Sequence, residues 1–383
     1  MTEHKHCRIC GGQFYQPALL EYPGSPHSAQ GFLETLDQTD DIVDLKIYQC
    51  RCCGLIQHDL SPVSYYRDVI RAVAFSKEMG QFRLGQLGNW IRRLDLTDKR
   101  VLEIGSGKGE YLELLKQAGA RQVYGIEHAK TSVEFARQRG LDVRAGYLST
   151  DFANPWDEPF DAFAIFSFME HWPDLNGSLR ALQSLLKNGA YGLVEIPNFD
   201  FIVSNGLYSE FTTDHIFYFN RHTLRTVLEL NGFEVLAIDS IWHDYILSAQ
   251  VMKRKRLDIS GFSEKQKNII EQLNQFVSRF RPQDVVVWGA GHQALAVMSL
   301  ACLQDKVSHV VDSASFKQQK YTPGTHLLIK APESILEDQP KAVMIMAAAY
   351  SDEVAKTLAQ KYPEVGNIAI LREDRLEVVK HDD

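Results

Sequence analysis

The chain has 383 residues, 45% of them hydrophobic and 23% charged, and its formal net charge is −8. A chain of this length should form two or three domains rather than one small module, and its apolar content excludes a mostly disordered protein. The acidic balance argues against a nucleic-acid partner, because a polyanion is repelled unless one face is locally basic. The compact basic run Lys253-Arg254-Lys255-Arg256 lies in a predicted linker and is too short to form such a face.

Features of membrane and secreted proteins are also missing from the sequence. No apolar run approaches the roughly 20 residues needed to span a bilayer, and the polar N-terminal residues do not resemble a signal peptide. Six cysteines are too few for a disulfide scaffold, and five of them lie within the first 53 residues. We therefore expect a protein of the reducing cytoplasm that contacts no membrane.

Two copies of a short cysteine motif mark the first segment, residues 1–75, which we interpret as a zinc-binding domain. The motifs are Cys7-Arg8-Ile9-Cys10-Gly11 and Cys50-Arg51-Cys52-Cys53-Gly54. Two such turns supply four thiolates for tetrahedral Zn²⁺, so we expect Cys7, Cys10, Cys50 and Cys53 to bind a structural zinc ion. Cys52 could replace either neighbour, and reduced, buried cysteines without metal are the alternative. A strand over residues 44–49 should lead into the second motif.

A predicted helix over residues 65–94 leads into a central segment, residues 76–257, with the pattern of a doubly wound α/β domain. Near-continuous apolar strands indicate a parallel sheet that is covered on both faces. The predicted strands cover residues 100–104, 122–126, 161–166, 191–196, 233–238 and 244–252. The predicted helices cover residues 111–118, 132–139, 179–187 and 221–231.

The last segment, residues 258–383, repeats the strand-turn-helix order in a shorter form. A helix over residues 263–280 precedes strands over residues 284–288, 307–311 and 342–347, and Gly289-Ala290-Gly291 follows the first of them. We therefore predict a second, smaller Rossmann-like domain. Its glycine turn could hold a dinucleotide, with Asp312 on the ribose, or a nucleotide diphosphate through backbone N–H groups.

A glycine-rich turn after the first central strand is the clearest chemical motif. Gly105, Gly107 and Gly109 stand at alternate positions, which lets the backbone pass close under a ligand, and the spacing differs from the dinucleotide fingerprint. Glu127 ends the next strand, where it can accept two hydrogen bonds from a ribose diol, and Glu103 lies beside the turn, where a carboxylate can meet an ammonium group. Together these groups fit S-adenosylmethionine. A turn without a ligand and a solvated acid at position 127 are the alternatives.

Two polar clusters should reach the carboxyl edge of the same sheet, where ligands bind in such folds. Glu170 and His171 follow the strand over residues 161–166, and Asp214 and His215 follow the strand over residues 191–196. Histidine titrates near neutrality and can remove a proton, and an adjacent carboxylate orients it. We therefore assign His215, Asp214 and His171 as catalytic candidates. A satisfied structural histidine is the alternative for each ring.

The motifs together carry a family resemblance. From the glycine-rich turn through Met169-Glu170-His171-Trp172-Pro173-Asp174 the chain resembles the class I methyltransferases. With the cysteine motifs before this part and Trp288-Gly289-Ala290-Gly291, Val311-Asp312-Ser313 and Pro323-Gly324-Thr325-His326 after it, nearly the whole chain resembles the sugar C-methyltransferases. That family methylates carbon 3 of nucleotide-linked 4-keto deoxysugars, so the resemblance implies a small-molecule nucleotide-sugar substrate.

The resemblance also implies residue roles. The family's loop after the fifth strand reads Tyr-x-Glu-His, with the histidine as base; here Thr212, Thr213, Asp214 and His215 stand in these places, so the histidine is kept and the tyrosine is replaced. His215 would take a proton beside the keto group, and the enolate would attack the sulfonium methyl. Donors such as Thr212, Thr213 or Tyr218 would stabilise the developing charge.

Other functions stay open at this point. O- or N-methylation of a sugar or another small metabolite is the nearest alternative to C-methylation. An oxidoreductase that uses the terminal domain and a non-catalytic scaffold protein are more distant ones. The sequence predicts neither the particular sugar nor the oligomeric state.

Overall fold

The computed structural model describes residues 5–28, 41–63 and 76–381, together with Thr35. The chain divides into two compact units, Met1–Arg256 and Leu257–Asp383. The first part of the helix predicted over residues 65–94 lies outside the described residues, and the helix Lys77–Arg93 represents the remainder. Among the described residues, no helix is both long enough and apolar enough to cross a membrane.

The first unit begins with short antiparallel strands and continues with alternating helices and strands. Its strands are β1 (Leu20–Pro26), β2 (Ile42–Gln49), β3 (Ile56–His58), β4 (Arg100–Ile104), β5 (Gln122–Glu127), β6 (Asp142–Ala145), β7 (Phe160–Phe166), β8 (Leu186–Pro197), β9 (Phe217–Tyr218), β10 (Phe233–Ile241) and β11 (Ile246–Lys253). Its α-helices are α1 (Lys77–Arg93), α2 (Glu110–Gln117), α3 (Lys130–Gln138), α4 (Leu175–Leu185), α5 (Phe199–Ser204) and α6 (Arg221–Leu230).

The central sheet has the strand order β10-β11-β8-β7-β4-β5-β6. Neighbouring strands are parallel except at β11, which runs antiparallel between β8 and β10. At the centre of β7, Phe163, Ala164 and Ile165 are 0% exposed, because both faces of the sheet are covered. The predicted doubly wound α/β fold is therefore confirmed. The strand order reverses between β4 and β7, and ligands bind outside the carboxyl ends of the strands at such a point.

A four-stranded sheet in the same unit has the order β1-β2-β3-β9, and each neighbouring pair is antiparallel. Its last strand comes from far along the chain, since Ile56 pairs with Tyr218 and Gln57 pairs with Phe217. The cysteine-rich segment and a strand of the central segment therefore share one sheet. The domain limits at residues 75 and 257 stay predictions.

The second unit contains the smaller α/β fold that the sequence predicted. Its strands are β12 (Val285–Trp288), β13 (His309–Val311), β14 (Ile329–Lys330), β15 (Ala342–Ile345), β16 (Asn367–Leu371) and β17 (Leu376–Lys380). Its α-helices are α7 (Ser260–Val277), α8 (His292–Leu300), α9 (Ser334–Asp338) and α10 (Ser351–Lys361). The strand order is β14-β13-β12-β15-β16-β17, parallel up to β16 and antiparallel at β17.

Candidate active site

The glycine-rich turn follows β4 at the switch point of the central sheet. Gly105, Gly107 and Gly109 have φ values of +70°, +56° and +91°, in the left-handed region that favours glycine. A Cβ atom on Gly105 would lie 2.4 Å from the ring of Phe168, and one on Gly109 would lie 2.3 Å from Leu141. Because a side chain cannot be added at either position without displacing a neighbour, the backbone itself forms the surface that a ligand would meet.

Glu127 ends β5 and holds this turn in place. Its Oε2 atom accepts a hydrogen bond from the Gly107 N–H at 2.9 Å, and its Oε1 atom accepts one from the Ala129 N–H at 2.9 Å. The residue is 9% exposed, and a carboxylate with one hydrogen bond on each oxygen keeps further acceptor capacity. Glu127 can therefore hold the turn and bind hydroxyl groups at the same time. Its contact with a ribose stays a prediction.

Glu103 lies one residue before the end of β4 and is fully buried. Its paired neighbours are Gly125 of β5 and Ala164 of β7, which are both small residues. A buried carboxylate next to the turn attracts a cationic group, since an opposite charge lowers the cost of burying it. The position of Glu103 suits the predicted contact with an ammonium group, and that contact stays a prediction.

A narrow pocket opens beside the turn, at the carboxyl ends of β4, β5 and β6. Its lining is mainly apolar and aromatic, as suits the flat base of a nucleoside. The lining residues include Ile126, His128, Tyr147, Leu148, Phe168 and Trp172. The sequence does not predict this pocket, because no pattern marks β6 as a strand, and Tyr147 and Leu148 follow β6 closely.

The two predicted histidines meet at the carboxyl edge of the sheet. His171 ends the 3₁₀ turn Met169–His171 after β7, and its ring centroid lies 4.8 Å from that of His215, with the rings inclined at 68°. The Nδ1 atom of His171 lies 2.8 Å from the carbonyl oxygen of Asp214. Since a carbonyl oxygen only accepts, Nδ1 carries the proton and the lone pair of the neutral ring is on Nε2.

Glu170 completes the histidine cluster. Its carboxylate oxygen and the ring nitrogens of His171 and His215 all lie within 4.8 Å of one another, and Glu170 is only 2% exposed. Adjacency in the sequence favours Asp214 as the orienting carboxylate. In the structure, the carboxylate grouped with both rings is that of Glu170, whereas Asp214 holds His171 through its carbonyl oxygen.

The surroundings of His215 favour its neutral form. Loss of hydration around the ring lowers the pKa of His215 from its usual 6.5 to about 4. The imidazole is therefore uncharged at neutral pH and can accept a proton. A nearby carboxylate such as that of Glu170 stabilises the imidazolium once the proton has been taken. The cluster has the chemistry of a general base with its charge partner.

Tyr218 stabilises the loop that carries these residues. Its hydroxyl donates to the carbonyl oxygen of Thr212 and accepts from the Thr212 N–H, both at 3.1 Å. Tyr218 is 3% exposed, and burial raises the pKa of its phenol. The O–H proton of Tyr218 is bound by the main chain in this structure, and its donation to a substrate oxygen stays a prediction.

A left-handed turn joins β10 to β11 at the same edge of the sheet. Residues 242–244 have φ values of 49°, 58° and 64°, which costs roughly 1–2 kcal/mol for each non-glycine residue. Asn198 supports this turn by donating from Nδ2 to the Asp244 carbonyl oxygen at 2.8 Å. The next residue, Tyr245, donates its hydroxyl proton to Oε2 of Glu210 at 2.8 Å. No glycine marks the turn, so the sequence carried no signal for it.

The four predicted cysteines form a compact cluster. Their Sγ atoms all lie within 4.8 Å of one another, with 3.6 Å between Cys7 and Cys53 and 3.4 Å between Cys10 and Cys50. A tetrahedral zinc ion with Zn–S bonds of about 2.3 Å holds its sulfurs about 3.8 Å apart, so the cluster fits this metal. Cys52 is exposed and lies outside the four-cysteine set. The geometry therefore favours Cys50 over Cys52 as the fourth ligand.

In the second unit, the acid beside the glycine turn is Asp312, and its hydrogen bonds differ from those of Glu127. Asp312 accepts from the Ala290 N–H at 2.8 Å, from the Ala314 N–H at 2.9 Å and from the Lys317 ammonium group at 2.9 Å. The pKa of its carboxyl is lowered, since these hydrogen bonds outweigh its burial. Because Lys317 already neutralises this carboxylate, the position suits a ribose hydroxyl less well than Glu127 does, and the oxidoreductase alternative loses support.

Comparisons with known proteins agree with this geometry. Residues 79–238 match the family model of a methyltransferase domain, and residues 250–371 match that of a C-methyltransferase C-terminal domain. The chain is 22% identical to the C-methyltransferase NovU of Streptomyces niveus, over 91% of this chain and 90% of that protein. It is 35% identical to a ubiquinone biosynthesis O-methyltransferase of Bordetella avium, over 27% of this chain and 45% of that protein.

Among solved structures, an S-adenosylmethionine-dependent methyltransferase from Clostridium acetobutylicum aligns with a TM-score of 0.38 at 15% identity, over 50% of this chain and 96% of that one. The family matches, together with the glycine-rich turn on a doubly wound sheet, define an enzyme: a methyltransferase that uses S-adenosylmethionine. More particularly, the match over residues 250–371 and the likeness to NovU along nearly the whole chain relate it to the C-methyltransferases.

Proposed function

We propose that this enzyme transfers a methyl group from S-adenosylmethionine to a carbon atom of a nucleotide-linked keto-deoxysugar. The observation that carries the proposal is the cluster of buried Glu170, buried His171 and partly exposed His215 at the carboxyl edge of the central sheet. A carbon acceptor differs from a hydroxyl or amine because it must lose a C–H proton, and this step needs a base that is neutral at working pH. The similarity to a C-methyltransferase over 91% of the chain supports the same chemistry.

His215 is the base in this proposal. Its imidazole takes the proton from the carbon next to the keto group, and the electron pair of that C–H bond forms an enolate. When bound, S-adenosylmethionine would supply the methyl group that the enolate carbon takes up, and S-adenosylhomocysteine would leave with the electron pair of the methyl–sulfur bond. Glu170 balances the positive charge on the protonated imidazole, and His171, fixed by the Asp214 carbonyl oxygen, lies beside both groups.

The cofactor would lie across the glycine-rich turn. Glu127 would bind the ribose hydroxyls while its carboxylate holds Gly107, and Glu103 would meet the ammonium group of the methionyl part. The pocket beside Tyr147 and Phe168 would take the adenine. The ribose and ammonium contacts use groups that already stand at the switch point, whereas the lining of the adenine pocket would have to move apart to admit the base.

The cysteine cluster would hold a structural zinc ion through Cys7, Cys10, Cys50 and Cys53. Four sulfur ligands close the coordination shell, so the metal would take no part in methyl transfer. A reducing cytoplasm would keep these thiols available for the metal.

Hydrogen exchange tests the carbon chemistry directly. The purified enzyme is incubated in deuterium oxide with S-adenosylhomocysteine and a panel of nucleotide-linked 4-keto deoxysugars, and deuterium uptake at the carbon next to the keto group is followed by NMR. We expect uptake with the wild-type enzyme, and about 10²–10⁴-fold slower uptake and methyl transfer with His215→Ala.

The exposed histidine variant His222→Ala is the control and should behave like the wild type. Methyl transfer to a sugar without any exchange would indicate O- or N-methylation instead. Normal turnover in His215→Ala would move the role of base to His171.

A further inference from the structure

Strand β3 connects the cysteine cluster to the loop that carries His215. Its central residue, Gln57, is 0% exposed and uses both ends of its amide. Nε2 donates to Sγ of Cys7 at 3.1 Å, and Oε1 accepts from the Arg8 N–H at 3.0 Å. The cysteine turn therefore fixes the position of β3 through a side chain that water does not reach.

The next residue of β3, His58, contacts the loop that carries His215. It is also 0% exposed, and its Nε2 atom lies 3.2 Å from the carbonyl oxygen of Thr213. Its main-chain N–H donates to the carbonyl oxygen of Ile216 at 3.2 Å. Both ends of the segment Thr213–Ile216, which contains His215, are thus held by one buried residue.

On its opposite side, this segment is held by the turn Met169–His171, which carries the second catalytic histidine candidate, His171. The Ile216 N–H donates to the carbonyl oxygen of Glu170 at 3.0 Å, and the Asp214 carbonyl oxygen lies 2.8 Å from Nδ1 of His171. The segment is therefore clamped between β3 and the turn Met169–His171. A shift at His58 would change the distance between the rings of His171 and His215.

We propose that His58 is a positioning residue for His215, acting through the Thr213 carbonyl oxygen, and that the cysteine cluster fixes His58 through Gln57. This inference rests on the proposed function, in which His215 is the base. In this arrangement Gln57 and His58 affect the rate of proton removal by positioning His215. The cofactor turn follows β4 in the other sheet, so cofactor binding should not depend on His58.

Substitutions at His58 separate positioning from general stability. His58→Phe keeps a ring and removes the Nε2 donor, whereas His58→Gln keeps a donor that can reach the Thr213 carbonyl oxygen. Each variant is compared with the wild type for deuterium uptake, kcat and KM for methyl transfer, affinity for S-adenosylhomocysteine, and zinc content. His6→Phe, at an exposed histidine of the same segment, is the matched control.

We expect kcat and deuterium uptake to fall by about 10²-fold in His58→Phe, the effect of a displacement near 1 Å at a reacting group. The affinity for S-adenosylhomocysteine and the zinc content should stay at wild-type values, and His58→Gln should recover most of the rate. Normal kcat in His58→Phe, or an equal loss in His58→Gln, would overturn the inference.

Gln57→Leu provides a second test should His58→Phe fail to fold. It removes the hydrogen bond to Cys7 while keeping four cysteines, and we expect a lower kcat with one zinc still bound. An unchanged kcat would count against the connection. If the wild-type enzyme itself shows no deuterium uptake, the proposed function fails; uptake that is unaffected by these variants refutes the positioning role alone.

Discussion

Arg83 of α1 and Glu195 of β8 form an ion pair in which the two side chains are 2% and 0% exposed. Glu195 also accepts hydrogen bonds from Gln86 and Ser248, and the guanidinium lies 5.5 Å from the ring centroid of Tyr111. The pair therefore attaches the helix before the glycine-rich turn to the centre of the sheet. A charge buried this deeply depends on its partner, because water cannot replace it.

Arg83→Met should destabilise the protein strongly. The substitution leaves the Glu195 carboxylate buried without its cation, which typically costs about 3–5 kcal/mol of unfolding free energy. Urea denaturation of the variant measures this loss. Arg93→Met, at an exposed arginine of the same helix, is the control and should change stability little. Equal stability of the two variants would show that Glu195 finds another partner.

Glu127→Ala should weaken binding of S-adenosylhomocysteine by roughly 1–3 kcal/mol, the usual cost of losing hydrogen bonds to a charged group. The carboxylate would be lost both as a ribose acceptor and as the acceptor that holds the Gly107 N–H. Isothermal titration calorimetry gives the affinity, and Glu134→Ala, an exposed acid on α3, is the control. Unchanged affinity in Glu127→Ala would place the ribose elsewhere.

The pKa of His215 predicts two effects of pH. In the folded protein this pKa is about 4, against a usual 6.5, so the unfolded chain binds the extra proton first. The unfolding free energy should therefore fall as the pH is lowered from 6.5 toward 4, and His215→Gln should reduce this slope. The rate of deuterium uptake should likewise begin to fall only well below pH 6.5 as the solution is made more acidic. A fall that begins at pH 6.5 would mean that the ring is hydrated in the working enzyme.

The cysteine geometry predicts which thiols bind metal. Protein purified without chelator should carry one zinc ion per chain, measured by elemental analysis. Cys50→Ser should lose the ion, since Sγ of Cys50 is one of the four clustered sulfurs, and Cys52→Ser should keep it. The reverse result would show that Cys52 replaces Cys50 as a ligand.

Local patterns predicted the features whose causes are local. The strand Arg100–Ile104 and the glycine turn after it are where the sequence placed them, because alternate glycines and a continuous apolar run leave few other conformations. The predicted helix over residues 179–187 instead covers Leu175–Leu185. Asp174 accepts from the Gly177 N–H and starts the helix four residues earlier, as an aspartate in the N-cap position does.

Features that depend on distant contacts could not be predicted in the same way. Strand β9 has two residues and exists only because it pairs with β3, so no periodicity marks it. Glu170 joins the two histidines because separate loops meet at the sheet edge, and sequence adjacency had favoured Asp214 for that role. The sequence did not predict β14, β16 and β17 either. Strand β14 has only two residues, and β14 and β17 lie at the two edges of their sheet.

The pairing of β3 with β9 has a consequence for how this protein can be shortened. An enzyme beginning at Ser76 would retain both the cofactor turn and the histidines in its sequence, yet Phe217 and Tyr218 would lose the strand beside them. Their side chains, which are now 1% and 3% exposed, would then face water as a new apolar patch. The cysteine-rich segment is thus required for the folding of the methyltransferase unit. A chain without it should aggregate, even if it can still bind the methyl donor.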